Sequence, residues 1–243
     1  MKVNMNNTAR LFLKFGKKQY LERLRDGNLY FTNAIRLRGI ENELLIKGQG
    51  DKYEGKTVIT GKRLTLGDGS VHNGTFNIEF SLEPANKLPV YCLFTCFDKD
   101  CKQNKSGQWI PQLSTDIIDM ALNHFPGIDA VAIISNPDQF IQDVKNQFGE
   151  ECKNNLVKYA PVGDNVGFLN DLVHTEYPGH VSTSYISLFR KDTFFTKEQE
   201  YRFVLSDTEI EEPQEIKVSL SSNKDITIQD IDEFIGNMNE KRV

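Results

Sequence analysis

The chain has 243 residues, 39% hydrophobic and 26% charged, with a net charge of −5; so ordinary a composition excludes disordered and fibrous classes and predicts a folded core. Its longest wholly apolar run, Ala130 to Ile134, is far short of the about 20 residues a membrane-spanning helix needs, and Met1 to Arg10 lacks a signal peptide's apolar core, so a cytoplasmic protein with no membrane partner is expected. The overall acidity argues against a dedicated reader of duplex DNA, whose binding is dominated by phosphate neutralisation.

Taken in chain order, Arg10 to Phe15 reads as a strand with Leu11, Leu13 and Phe15 on one face. Lys17 to Asp26 has Tyr20, Leu21 and Leu24 at helical spacing, with Gly27 as C-cap. Asn28 to Thr32 is a short strand, and Ala34 to Leu45 mixes basic and apolar residues ahead of Gly48, Gly50 and Gly55. Lys56 to Leu66 and Val71 to Leu82 flank Gly67-Asp68-Gly69, a strong hairpin signal. Val90 to Phe97 is expected to be a buried strand, Leu113 to Phe125 a helix, Ala130 to Ser135 a strand, and Asp138 to Phe148 a helix entered through Asn136-Pro137 and closed by Gly149. Leu156 to Ala160 reads as a strand, residues 161 to 183 as a long loop, and Tyr185 to Phe189 and Glu200 to Leu205 as further strands. Glu215 to Leu220 is strand-like, and Ile228 to Met238 is expected to be a final helix. The fold class that follows is α+β: a mostly antiparallel, split β-sheet flanked by helices, with residues 1–205 forming the domain and residues 206–243 an acidic appendage packed on it.

The charge is unevenly distributed. Arg10 to Arg38 carries eight Lys/Arg against Glu22 and Asp26, a net of +6, whereas Ser206 to Val243 carries ten Asp/Glu against four Lys/Arg, a net of −6. Such a gradient is compatible with an anionic ligand near the N-terminal half, and equally with two solvated faces. The cysteines, Cys92, Cys96, Cys101 and Cys152, lack the paired spacing of a zinc site. Cys92 and Cys96 share a face of their strand and are expected to pack as small hydrophobes, and no metal centre is expected.

Three segments have the residue types for chemistry. In Lys197-Glu-Gln-Glu-Tyr-Arg-Phe-Val-Leu205, Glu198, Glu200 and Arg202 fall on one side of an extended chain. Two carboxylates so placed repel, so a positive partner or ligand must compensate; they serve as general base, cation stabiliser or metal ligands, or stand in an exposed Glu–Arg ladder at a strand edge. In Gly50-Asp-Lys-Tyr-Glu-Gly55, Asp51, Tyr53 and Glu54 form an acidic loop near a ligand, or else Asp51 caps a turn and Glu54 points to water. Lys14-Phe15-Gly16, followed by a helix beginning at Lys17, offers backbone N–H groups to an anion.

The order K-F-G, then Leu21 to Phe31 (L-x-x-L-x-x-G-x-L-Y-F), then G-D-K-Y-E-G, V-Y-C-L-F-T-C-F and F-R-K-D-x-F-F-x-K-E-Q-E-Y-R-F resembles a largely uncharacterised bacterial family. Its first strand reads H-Y-T, its C-terminal motif reads E-x-E-[WY]-R, and members are linked to phage defence. That family in turn resembles, at low similarity, the ADP-ribosyltransferase superfamily. The resemblance implies NAD as substrate and a protein or nucleic-acid acceptor, with Glu200 as the catalytic carboxylate and Glu198 orienting the acceptor. It places Lys14, Gly16, Tyr30, Ser182 and Arg202 against NAD, the Ser182-Thr183-Ser184 run standing for the superfamily's S-T-S strand. This chain departs from the pattern at Lys14-Phe15-Gly16, where a His or Arg motif is expected, and in how near Ser182 lies to Glu198.

Three functions therefore compete. One is an ADP-ribosyltransferase-like toxin or anti-phage effector. Another is a metal-dependent nuclease using Asp51, Glu54, Glu198 and Glu200, although no D-x-n-E-x-K core is evident. The third is a non-catalytic defence sensor that binds a protein partner through its acidic tail.

Overall fold

The computed structural model describes residues 8–44, 50–125, 127–163 and 181–239. Chain order opens with β1 (Leu11–Gly16), α1 (Lys18–Arg25), β2 (Asn28–Phe31) and α2 (Ala34–Leu44). An exposed hairpin, β3 (Lys56–Thr65) and β4 (Val71–Ser81), leads into α3 (Glu83–Lys87), β5 (Val90–Cys96), the small ribbon β6 (Cys101–Gln103) and β7 (Trp109–Pro111), and α4 (Thr115–His124). Then come β8 (Ala130–Ile134), α5 (Pro137–Phe148), β9 (Cys152–Leu156) and β10 (Lys158–Ala160). The last part holds a 3-10 helix over Val181–Phe189, β11 (Arg190–Asp192), a second 3-10 helix over Thr193–Glu198, β12 (Glu200–Leu205), β13 (Gln214–Lys217), β14 (Ile226–Asp230) and α6 (Ile231–Asn239).

The core is a six-stranded sheet in the order β14-β8-β1-β5-β12-β9, antiparallel at every pairing. Leu11, Phe12 and Leu13 are all fully buried, because β1 lies between two layers of helix. Phe12, Tyr91, Leu93 and Phe203 pack with Leu21 and Leu24 of α1 and Phe140 and Val144 of α5. Leu11, Leu13, Phe94 and Cys96 pack with Ile117, Ile118 and Met120 of α4 and Phe234 and Met238 of α6. A smaller cluster of Val90, Val204, Leu188, Ala34, Ala85 and Leu88, with Cys92 packed against it, closes the lower end. The two-residue period of β5 thus puts Cys92 and Cys96 on the same face, and all four cysteines of the chain are free thiols. The fold is α+β, mostly antiparallel, with helices flanking the sheet.

The signals at helix ends act as the sequence predicts. Asn136 caps α5 by accepting from the Gln139 amide at 3.2 Å, and Gly27 takes a φ of +88 after α1. At Gly27 a side chain is excluded twice, since a Cβ would lie 2.2 Å from the Val218 carbonyl oxygen.

Several elements differ from the sequence expectation. Tyr185 to Phe189 is not a strand but part of a 3-10 helix: burial falls on Ser184, Ser187 and Leu188, a helical rather than alternating spacing, and Ser187 Oγ donates back to the Ser184 carbonyl at 3.0 Å. The Leu156–Ala160 stretch divides at Val157, whose amide donates to the Glu200 carbonyl at 2.9 Å, so one part pairs with β12 and the other with β11. Ile226 to Asp230 forms β14 at the sheet edge, and the last helix begins only at Ile231. The loop at residues 161 to 183 lies largely outside the described residues.

The acidic tail is built into the fold. Besides β14, it contributes β13 to a pair with β2, and the Asp143 carboxylate of α5 accepts from the Ser222 amide and the Ser221 and Ser222 hydroxyls. Its charges meet the basic N-terminal segment through Lys18–Asp230 at 2.9 Å and Arg23–Glu215. Two of the eight basic residues of the N-terminal segment thus find counter-charges in the tail. No helix among the described residues is long and apolar enough to cross a membrane.

The strand–glycine–helix turn at Lys14-Phe15-Gly16 does not present an open anion site. Asp129 Oδ1 accepts from the Lys18 amide at 2.6 Å, so a carboxylate of this chain already occupies the helix N-terminus, while Gly16 backs onto Leu21. Asp129→Ala is expected to cost about 1 kcal/mol, the usual loss of a cap, measurable as a shift in urea midpoint.

Candidate active site

The E-x-E segment is not extended. Glu198 ends the 3-10 helix and Gln199 turns left-handed, with φ +42, before β12 begins at Glu200. A non-glycine residue in that region costs free energy unless its surroundings hold it, and here the Gln199 amide nitrogen donates to the Thr95 carbonyl and Asp100 while its oxygen accepts from Lys99 at 2.6 Å. The turn brings Glu198 and Glu200 onto one cation. Lys191 Nζ, itself buried, lies 2.5 Å from Glu198 and 2.7 Å from Glu200.

From Glu200 the two-residue period of β12 carries Arg202 to the same face. Arg202 is 1% exposed. It donates through Nε to Glu200 at 2.5 Å, in a fork to both Glu54 oxygens at 2.5 and 2.9 Å, and to the Leu188 carbonyl. Glu54 therefore does not point to water. Asp51 does make the local turn, its Oδ1 accepting from the Tyr53 amide at 2.9 Å, but it too is buried, 3% exposed. The compensating positive partner required by the paired carboxylates is thus Lys191 together with Arg202, and the exposed Glu–Arg ladder at a strand edge does not occur, because β12 lies between β5 and β9.

Two cations, Lys191 and Arg202, are shared by three carboxylates, Glu198, Glu200 and Glu54, so the carboxylates do not share one protonation tendency. For Glu200, burial pushes the pKa up, but Arg202 and Lys191 override it and hold the carboxyl well below its ordinary range. For Glu198, burial dominates and the neighbouring Glu200 adds to it, so its pKa is raised despite Lys191 and the contact from His124 Nδ1 at 3.1 Å. Asp51 is pushed up to about 7 by burial and then by Glu54. These groups face a cavity of about 460 Å³, inside the range typical of small-molecule sites, whose apolar wall includes Leu13, Phe15, Phe94, Met120 and Phe125. Lys14 lines it as well, donating to the Cys92 carbonyl at 2.6 Å and lying over the Tyr91 ring, with its pKa lowered by burial. Cys92 is no nucleophile: burial and then Glu200 push its thiol up to about 12.

Of the residues singled out in the sequence, Glu200, Glu198, Arg202, Lys14, Asp51 and Glu54 line this cavity together, and exposed Tyr30 stands at its mouth. Gly16 and Tyr53 do not line it; the Tyr53 ring carries Lys52 above it at 4.9 Å. Ser182 lies in the 3-10 helix, not on a strand, and its side chain falls outside the described residues. Sequence reasoning missed Lys191, His124 and Gln199. The need for a cation beside Glu198 and Glu200 was the one available signal for Lys191.

Every oxygen of Glu54 and Glu200 has a Lys or Arg partner. Among the described residues no group of three or more His, Cys, Asp or Glu is arranged to hold a metal ion. No protein-family model matches the chain, and no curated protein or solved structure matches it.

Asp51 supplies a pH signature. Folded Asp51 keeps its proton up to about pH 7, whereas an unfolded Asp releases it near 4, so the folded state binds more protons between those values and stability from this group falls as pH rises through that window. Asp51→Asn keeps the acceptor for the Tyr53 amide and removes the penalty. The variant is expected to match the parent near pH 4 and to exceed it above pH 7, by on the order of 4 kcal/mol, three tenfold changes in proton affinity at about 1.4 kcal/mol each. Urea unfolding at both pH values checks this.

Proposed function

We propose that the cavity cleaves an N-glycosidic bond, and that the protein is an ADP-ribosyltransferase-like enzyme that moves ADP-ribose from NAD to a protein or nucleic-acid acceptor. The observation carrying this reading is the divergent pair Glu198 and Glu200 on one wall of the cavity. Two carboxylates whose environments drive their proton affinities apart are suited to different tasks in one reaction.

Glu200 stays anionic. As the bond from the ribose C1′ to the nicotinamide nitrogen breaks, its electron pair leaves with nicotinamide and an oxocarbenium-like centre forms, which a fixed carboxylate stabilises electrostatically. The Glu200 oxygens each keep a lone pair beyond their contacts to Lys191 and Arg202. Glu198, with its raised proton affinity, is the stronger base of the two and takes the proton of the acceptor as that group bonds to C1′. Phe15, Phe94 and Phe125 offer flat apolar surface to nicotinamide, and Lys14 offers positive charge to the pyrophosphate. A role as a toxin or anti-phage effector accords with the family resemblance of the motifs.

The test is incubation with NAD labelled in the adenylate portion, with cell extract as acceptor source, beside Glu200→Gln. Label transferred to macromolecules by the parent and not by the variant is the expected result. Absence of NAD binding and of labelling, with a folded parent protein, would overturn the proposal.

A further inference from the structure

Glu198 has a donor on each of its carboxylate oxygens. Lys191 Nζ of β11 meets Oε2 at 2.5 Å, and His124 Nδ1, at the end of α4, meets Oε1 at 3.1 Å. Ile117, Met120 and Ala121 belong to the buried face of α4, and His124 continues that face at the i, i+3, i+4, i+7 spacing. An apolar residue would extend the face most simply. The imidazole instead ends it on Glu198, next in sequence to Phe125 of the cavity wall.

Both donors are backed by rings from the 3-10 turn that carries Glu198 itself. The Phe194 ring lies nearly parallel to His124 with centroids 6.1 Å apart, Lys191 Nζ stands over the buried Phe195 ring at 4.1 Å, and the two rings meet edge to face at 5.0 Å. The turn thus fixes the partners of its own carboxylate, as a group that must meet a reacting atom requires.

The two carboxylates also differ in the kind of donor they receive. Glu200 has two cations, Lys191 and Arg202, whereas Glu198 has one cation and an imidazole. A second cation would hold Glu198 as firmly ionised as Glu200 and leave it a poor base, while a neutral N–H orients the carboxylate at a smaller loss of basicity. Because a carboxylate only accepts, Nδ1 carries the proton when Glu198 is ionised. The acceptor's proton then goes to a lone pair that neither donor occupies.

We propose, on the transferase reading, that His124 is the positioning residue of Glu198, directing its carboxylate at the acceptor and holding it ready to take the acceptor's proton. Lys191 of β11, Glu200 of β12 and Tyr159 of β10 also face Glu198. Burial and Glu200 favour the protonated carboxyl, and Lys191 and His124 oppose it.

The test compares the parent with His124→Phe, which keeps a ring against Phe194 and removes the donor, and with His124→Asn, whose amide N–H stands where Nδ1 stood. Nicotinamide release and transfer of adenylate label are followed from pH 5 to 9. His124→Phe is expected to lower transfer by about 10–100-fold, more than it lowers nicotinamide release, and to move the acid limb of transfer to higher pH. His124→Asn should recover most of the rate and bring the limb back toward the parent's. Melting curves establish that each variant is folded. A long-range ¹H–¹⁵N spectrum of the parent, taken above the imidazole titration, should show His124 protonated at Nδ1 and needs no variant. The proposal is overturned by the opposite tautomer, by superimposable pH profiles of parent and His124→Phe, or by equal loss in the Phe and Asn variants. A parent that transfers no label fails the transferase reading and this role with it, whereas transfer that His124→Phe leaves intact fails the positioning role alone.

Discussion

Arg202→Met is expected to lower the unfolding free energy by about 3–5 kcal/mol, the usual cost of leaving buried charges without their partner. In a chain of this size that corresponds to a melting temperature lower by roughly 6–20 °C, at about 2–4 °C per kcal/mol. The size of the effect follows from the number of groups the guanidinium serves. It pairs with Glu54 through both nitrogens, with Glu200 through Nε, and with the Leu188 carbonyl, all at 1% exposure. Methionine fills much of the volume, so the loss reports charge rather than a cavity. Removing Glu54 as well separates the two contributions: Glu54→Gln/Arg202→Met is expected to be more stable than Arg202→Met alone, with a coupling of about 1–3 kcal/mol. The pH dependence has a definite sign. Because Glu200 is held below its ordinary range largely against its own burial, its contribution is present above the unfolded carboxylate pKa and is lost as pH falls through the folded value. The deficit of Arg202→Met should therefore be greatest near neutrality and shrink in acid. Equal melting of parent and variant would mean that the cluster is solvated after all.

Much of this arrangement is legible in the chain because it depends on short-range rules. The two-residue period of Glu200, Arg202 and Val204 places the first two on one face, and Gly67-Asp68-Gly69 makes its hairpin, with Gly69 at φ +84. What was not legible depends on distant segments. Lys191 precedes Glu198 within a stretch dense in charge, and only the 3-10 turn over Thr193–Glu198 and the left-handed Gln199 fold it back onto both carboxylates. Glu54 looked like a solvated loop residue because its partner lies 148 residues away. His124 reaches Glu198 from α4, 74 residues away in the chain. β14 was masked by the helix after it: Ile226 and Ile228 have strand alternation, but Ile228 also continues the apolar spacing of Ile231 and Ile235, so the period changes within a few residues.

Two carboxylates with opposite proton tendencies give the largest expected effects on rate, and they separate by step. Glu200→Gln removes the anion that faces the developing cation and is expected to lower NAD cleavage by about 10²–10³, whether water or another acceptor follows. Glu198→Gln should leave cleavage to free ADP-ribose less affected, because water at high concentration needs little activation against an oxocarbenium centre, while transfer to a macromolecular acceptor falls by about 10²–10⁴ with the loss of its base. Parallel measurement of nicotinamide release and of label transfer distinguishes the two. The pH profile follows from the same geometry. Burial and Glu200 raise the Glu198 pKa, so transfer by the parent should climb as pH rises through that value, and Glu198→Gln should flatten the acid limb. Lys191 sets how far apart the two groups lie, since its Nζ touches both; Lys191→Met should shift the limb toward higher pH by removing the cation that opposes protonation of Glu198. If nicotinamide release and transfer fall in parallel in Glu198→Gln and Glu200→Gln, the carboxylates act as one structural unit with Lys191 and Arg202, and the division of labour between them is wrong.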